Sequence, residues 1–147
     1  MQKSPSSEAM KLAPSSSHHA RILVAEDDWL ITDVLCLILT LQGYQARAAY
    51  SAEEALEVCR EFQPHAAILE AWFWTGMNGV DLAKHFTLDH PECKLLLWTA
   101  WQSIVPRILQ EAKEEGFDFT VWAKPLHPND VLAKLADLLI PGEAFHA

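Results

Sequence analysis

Four short stretches of this chain hold residue types that can do chemistry together: Glu26-Asp27-Asp28, Glu70, Thr99 and Lys124-Pro125. Carboxylate oxygens suit a hard divalent cation such as Mg²⁺, which takes only one or two carboxylates directly. An ammonium and a hydroxyl beside them suit the oxygens of a phosphoryl group. None of the four means much alone. Their value depends on whether the fold brings them to one place.

The elements around them answer that in outline. Ile22-Leu23-Val24-Ala25 is a short, β-branched apolar run ending at the acids, the pattern of a strand buried on both faces. Asp28 is a good N-cap, and Leu30, Val34, Leu37, Ile38 and Leu41 predict a helix over 29–42 closed by Gly43. A strand is expected over Tyr44–Ala49. A capping box, Ser51-Ala-Glu-Glu54, opens a helix that Pro64 ends. Further strands are expected at Ala66–Leu69, Lys94–Thr99 and Phe119–Ala123. Helices are expected over about Val80–Phe86, Pro106–Glu115 before Gly116, and from Pro128 to about Leu139.

Strand and helix alternate five times without hairpin signals. This predicts an α/β fold, a five-stranded parallel sheet with helices on both faces, flavodoxin-like in plan. In such sheets reactive groups gather at the carboxyl ends of strands. All four chemical stretches fall at such ends.

Composition sets the frame. The 147 residues are 50% apolar and 21% charged, so one globular domain is expected. Residues 1–20 are Ser- and Pro-rich and read as a disordered tail dispensable for folding. Residues 21–140 read as the domain and 141–147 as a short C-terminal tail. No run reaches the roughly 18 apolar residues of a membrane span, and no apolar leader opens the chain, so a cytoplasmic protein is expected. The net charge of −9 argues against nucleic-acid and anionic-membrane partners. Cys36, Cys59 and Cys93 sit in apolar stretches and read as three buried, reduced thiols. The His18-His19 pair in the tail is read as carrying no metal site.

With these residues in order, the chain resembles the receiver domain of two-component response regulators over roughly residues 21–140. The resemblance is carried by Ile22-Leu-Val-Ala-Glu-Asp-Asp28, Gly76-Met-Asn-Gly79, Leu97-Trp-Thr-Ala100 and Ala123-Lys-Pro125. It implies that Glu26 and Asp27 help hold Mg²⁺ and that Thr99 and Lys124 contact phosphoryl oxygens. It also implies a cis Lys124–Pro125 bond and phosphorelay partners: a histidine kinase, a phosphotransfer protein or another signalling protein. No enzymatic activity is implied. No output segment is expected after Leu139, so output would pass through a partner.

The departure lies at the phosphoacceptor, an aspartate in the family. Counting forward from Pro64 puts that position at Glu70, and counting back from Gly79 puts it at Ala71. Glu70 is favoured, because an extra residue is tolerated better in a loop than in a buried strand. Thr75 replaces the loop's usual proline. The position three before the lysine, usually aromatic, is Val121, with Trp122 one place later.

The extra methylene of Glu70 spoils in-line attack on a phosphodonor, where about 1 Å of misplacement can cost ~100-fold. It suits a standing ion pair with Lys124, which imitates part of a phosphoryl group's charge. A degenerate receiver acting as an interaction module is therefore the leading expectation, with a phosphorylatable receiver of altered acceptor chemistry as the alternative. Weak Mg²⁺ binding is expected unless Glu70 folds onto Lys124 and closes the site. A flavodoxin-like enzyme or nucleotide binder is disfavoured, because Glu26-Asp27-Asp28-Trp29 after the first strand repels phosphate.

Six tryptophans lie near the expected strand ends. Trp98 and Trp122 are assigned to core packing. Trp29, Trp72, Trp74 and Trp101 are candidates for an aromatic binding rim. Glu111, Glu114 and Glu115 read as a solvated helix face.

Overall fold

The structure, a computed structural model, describes residues 20–140. The expected tails and His18-His19 lie outside them, apart from Ala20. Five strands, β1 (Arg21–Ala25), β2 (Gln45–Ala49), β3 (Ala66–Glu70), β4 (Lys94–Thr99) and β5 (Val121–Ala123), alternate with five helices. These are α1 (Trp29–Leu41), α2 (Ala52–Phe62), α3 (Gly79–Asp89), α4 (Val105–Glu114) and α5 (Pro128–Leu138). The sheet is parallel throughout, in the order β2-β1-β3-β4-β5.

The central strands are apolar because both faces are covered. Alternate residues of β1 and β3 feed two cores. Leu23, Ala67 and Leu69 pack with Val58, Leu82 and Phe86 under α2, α3 and α4. Ile22, Val24 and Ile68 pack with Leu35, Leu39 and Leu135 under α1 and α5. A fully buried leucine or isoleucine among them contributes about 1.5–3 kcal/mol.

Local chemistry sets the boundaries. The Asp28 carboxylate accepts from the Leu30 and Ile31 N–H groups and starts α1 beside the acids. Gly43 takes a left-handed φ of 100° just past its end. Ser51 caps α2 by accepting from Glu54 N–H, but Glu54 reaches back to Tyr50 N–H rather than to the cap residue. Asn78 caps α3, which begins one residue before the expected start and runs three past the expected end. Pro128 stands at the first position of α5, as expected.

Some expectations need correction. β5 has only three residues, because Phe119 turns into the core under α4 and Thr120 is exposed before the ladder begins. Trp122 is 40% exposed, not core. It sits on the short edge strand, and Lys134 lies over its ring at 3.5 Å. Cys36 is half-buried, because it lies at the flank of α1, whereas Cys59 and Cys93 are buried. Glu115 is not merely solvated, since Lys84 from α3 pairs with it at 2.8 Å.

Candidate functional site

The carboxyl edge of the sheet gathers the acids and the lysine. β1 delivers Glu26, β3 ends on Glu70, and β5 is followed by Lys124. The Lys124 ammonium donates to Glu26 Oε1 and, at 2.6 Å, to Glu70 Oε1. Both acids are almost fully buried, at 2% and 1% exposed. The same ammonium stands 4.8 Å from the centre of the Trp98 ring, a cation–π contact. The Lys124–Pro125 peptide is cis, as the sequence resemblance implied.

The remaining carboxylate oxygens turn to backbone amides. Glu26 Oε2 accepts from Asp28 N–H at 3.2 Å and Glu70 Oε2 from Trp72 N–H at 2.9 Å. Asp27 Oδ2 accepts from Trp74 N–H at 3.1 Å. Thr99, buried at the end of β4, uses its hydroxyl to accept from Trp101 N–H at 2.9 Å. Thus Glu26, Glu70 and Lys124 meet directly, whereas Asp27 and Thr99 anchor loops beside them. Ala71 is buried and offers only backbone, accepting from Gly79 N–H through its carbonyl.

The loops that donate these bonds also touch each other. Trp74 and Trp101 meet edge to face with centroids 4.8 Å apart, joining the β3–α3 loop to the β4–α4 loop. Trp29 and Trp74 are exposed, while Trp72 and Trp101 are half-buried against the core under α2 to α4. Sequence reasoning missed the amide donors of residues 28, 72, 74 and 101, because backbone groups carry no residue-type signal. Gly79 was noted only as a motif residue. A Cβ there would lie 1.7 Å from the Glu70 carbonyl oxygen, so α3 can approach β3 only with glycine at that position.

Burial dominates the charge states. It pushes the Glu26 carboxyl up from 4.5 to about 7, against the lowering effect of Lys124. Burial also works to lower the Lys124 ammonium, but its bonds to Glu26 and Glu70 prevail and its pKa is raised.

Glu26 and Asp27 are the residues that would hold a divalent cation at this edge, as the resemblance implies. Five of the six oxygens of Glu26, Asp27 and Glu70 already accept from the ammonium or from backbone amides. A cation would have to compete with Lys124 for the two carboxylates it bridges. Among the described residues no group of three or more His, Cys, Asp or Glu is placed to hold a metal.

The chain is a five-stranded parallel α/β domain in the order 2-1-3-4-5, with acids, a hydroxyl and a lysine at its carboxyl edge. The family model of the response regulator receiver domain matches residues 22–136, and the chain belongs to that family.

Among curated relatives it is 29% identical over 115 residues to the DNA-binding response regulator MtrA of Mycolicibacterium smegmatis, covering 78% of this chain and 48% of that protein. It is 28% identical over 120 residues to the response regulator receiver protein CpdR of Brucella abortus, covering 82% and 97%. The chain spans about half the length of the MtrA relatives it matches. A CheY-like receiver domain from Methanospirillum hungatei superimposes with a TM-score of 0.71 at 25% identity, covering 81% of this chain and 92% of that one. The regulator TrrA of Thermotoga maritima, solved with Mg²⁺ and BeF, gives 0.68 at 25% identity, covering 82% and 99%. Among the described residues no helix is long and apolar enough to cross a membrane.

Proposed function

We propose that this receiver domain serves two-component signalling as a cytoplasmic protein-interaction module whose phosphoryl switch is replaced by a built-in ion pair. Glu70 stands at the acceptor position, rather than Ala71, and acts as a fixed negative charge on Lys124. The observation that carries this reading is the 2.6 Å bond from Lys124 to Glu70, with the other Glu70 oxygen held by Trp72 N–H. Glu70 is held by Lys124 and Trp72 N–H, and its extra methylene moves the carboxylate away from the place an in-line attack by aspartate would use.

The charge imitation is partial. One carboxylate supplies a single negative charge, where a phosphoryl group supplies nearly two. The Trp74–Trp101 contact joins the two loops beside the site. Partners are a histidine kinase, a phosphotransfer protein or another signalling protein, recognised by shape rather than by a phosphorylation-dependent change. The acidic composition supports neither nucleic acid nor an anionic membrane as partner. TrrA was solved with Mg²⁺; here an ion at Glu26 and Asp27 would compete with Lys124 for Glu26 Oε1.

The test is intact-mass measurement after incubation with Mg²⁺ and a small phosphodonor such as acetyl phosphate. The mass is expected to stay unchanged. A stoichiometric gain of one phosphoryl group, abolished by Glu70→Gln, would overturn this reading and establish a phosphorylatable receiver with glutamate as acceptor.

A further inference from the structure

The β2-β1-β3 side of the carboxyl edge carries negative charge that nothing in the fold answers. Asp27 and Asp28 follow β1, Asp33 stands in the second turn of α1, and Glu53 and Glu54 open α2. Each carboxylate accepts from a neutral donor. Asp27 and Asp28 take backbone amides. Asp33 accepts from the Tyr50 hydroxyl at 2.6 Å, Glu54 from Tyr50 N–H at 2.8 Å and Glu53 from Met77 N–H at 2.8 Å. These bonds run between the loops after β1, β2 and β3 and gather the five acids into one patch. Among the described residues none of the five is paired with a lysine, arginine or histidine.

Three aromatic rings stand among these acids. Trp29 is 65% exposed, Trp74 70% and Tyr50 40%. Trp74 belongs to the loop whose N–H groups Asp27 and Glu53 hold, and Trp29 follows Asp28 directly. Rings this open add little burial to the fold. The loops of the carboxyl edge contain one lysine or arginine, Lys124, and it is 11% exposed and bonded to Glu26 and Glu70.

We propose that this patch docks an arginine-bearing segment of a protein partner. A guanidinium answers both features at once. It donates in a planar fork to carboxylates and stacks flat on an aromatic face, and an ammonium does neither as well. An ionised carboxylate has about four acceptor sites, so the bonds that fix these acids leave room for the fork. The acids are thus ordered before the partner arrives. A second copy of the chain, with its net charge of −9, is repelled from the patch. Residues 1–19 contain Lys3 and Lys11 but no arginine. The inference rests on the reading of the domain as an interaction module and adds the chemistry of its partner.

The test is a titration of the full chain with a short peptide of alternating arginine and glycine, beside its lysine counterpart. Intrinsic tryptophan fluorescence and calorimetry, in about 0.15 M salt to screen long-range attraction, give the affinity. Saturable binding is expected, with the lysine peptide about tenfold weaker. The pair Asp33→Asn and Glu53→Gln keeps the hydrogen-bonding oxygens and loses two charges, so its circular dichroism is unchanged and its affinity falls about tenfold. Trp29→Ala is expected to weaken binding as well. An equal charge change on α4, Glu111→Gln with Glu114→Gln, is expected to leave affinity unchanged. The inference is overturned by a flat titration, by equal affinity for the two peptides, or by a control pair that weakens binding as much as the patch pair. Binding that appears only after removal of residues 1–19 would also overturn it, by naming that segment as the occupant. A phosphoryl mass gain with peptide binding intact counts against the ion-pair reading alone, and a flat titration with unchanged mass counts against this inference alone.

Discussion

Lys124 and Glu70 bond at 2.6 Å although their strands are not neighbours, since β4 lies between β5 and β3. The lysine reaches across the end of β4, over the Trp98 ring, to two acids from β3 and β1. One ammonium thus ties the carboxyl ends of three strands together. It also places a positive charge against both buried acids.

Removing that ammonium exposes its role. Lys124→Met leaves Glu26 and Glu70 facing each other in a buried site, and breaking a buried pair in this way costs about 3–5 kcal/mol. Urea denaturation at neutral pH is expected to show a loss of that size. Mg²⁺ or Mn²⁺ is expected to raise the midpoint of the variant and leave the wild type unchanged. Equal stability of the two proteins would count against the ion pair as a structural element.

Glu26 gives the fold a specific pH dependence. Its folded pKa of about 7 lies above the ordinary 4.5, so the folded state keeps a proton that the unfolded state has lost between those values. Stability from this group is therefore full below about pH 4.5, falls as pH rises, and is lost by about pH 7. The span corresponds to about 3 kcal/mol. Glu26→Gln is expected to gain on the wild type by that order between pH 4.5 and 7.5, measured by paired urea titrations. A constant difference across the range would contradict the assignment.

Gly79 holds α3 against the end of β3. A methyl group there would meet the Glu70 carbonyl oxygen at 1.7 Å, and backbone cannot swing aside as a side chain can. Gly79→Ala is expected to cost about 3 kcal/mol, the upper part of the usual overpacking range. Thermal unfolding with the Glu70→Gln variant as a control separates backbone crowding from loss of the carboxylate.

Asp28 is a cap rather than a pocket acid. Its carboxylate serves Leu30 and Ile31 N–H at the start of α1. Asp28→Ala is expected to cost about 1 kcal/mol.

Much of this was legible in the residues. Apolar runs such as Ile22–Ala25 and Ala66–Leu69 read directly as buried parallel strands, because both faces must be apolar. Glu26, Glu70 and Lys124 followed from their places at strand ends. What the letters withheld was direction. Nothing in a threonine or an aspartate says whether it faces a pocket or a passing amide, so Thr99 and Asp27 could not be separated from the other site residues. Trp122 was misjudged because the length of β5, and hence the cover over its edge, depends on tertiary packing of Phe119. The exposed apolar side of α1 followed the same helical periodicity as a core face, and only the sheet decides which of two apolar faces is turned inward.

The Glu26–Lys124 contact closes a loop of 98 positions. Glu26 precedes its partner in synthesis by that whole span, which contains β2, β3, β4 and the helices between them. Contacts of such sequence separation are slow to form, because closure entropy must be met before they contribute. Without residue 124 the two acids have no ammonium to face them, so burial of Glu26 and Glu70 depends on a residue 98 and 54 positions further along the chain.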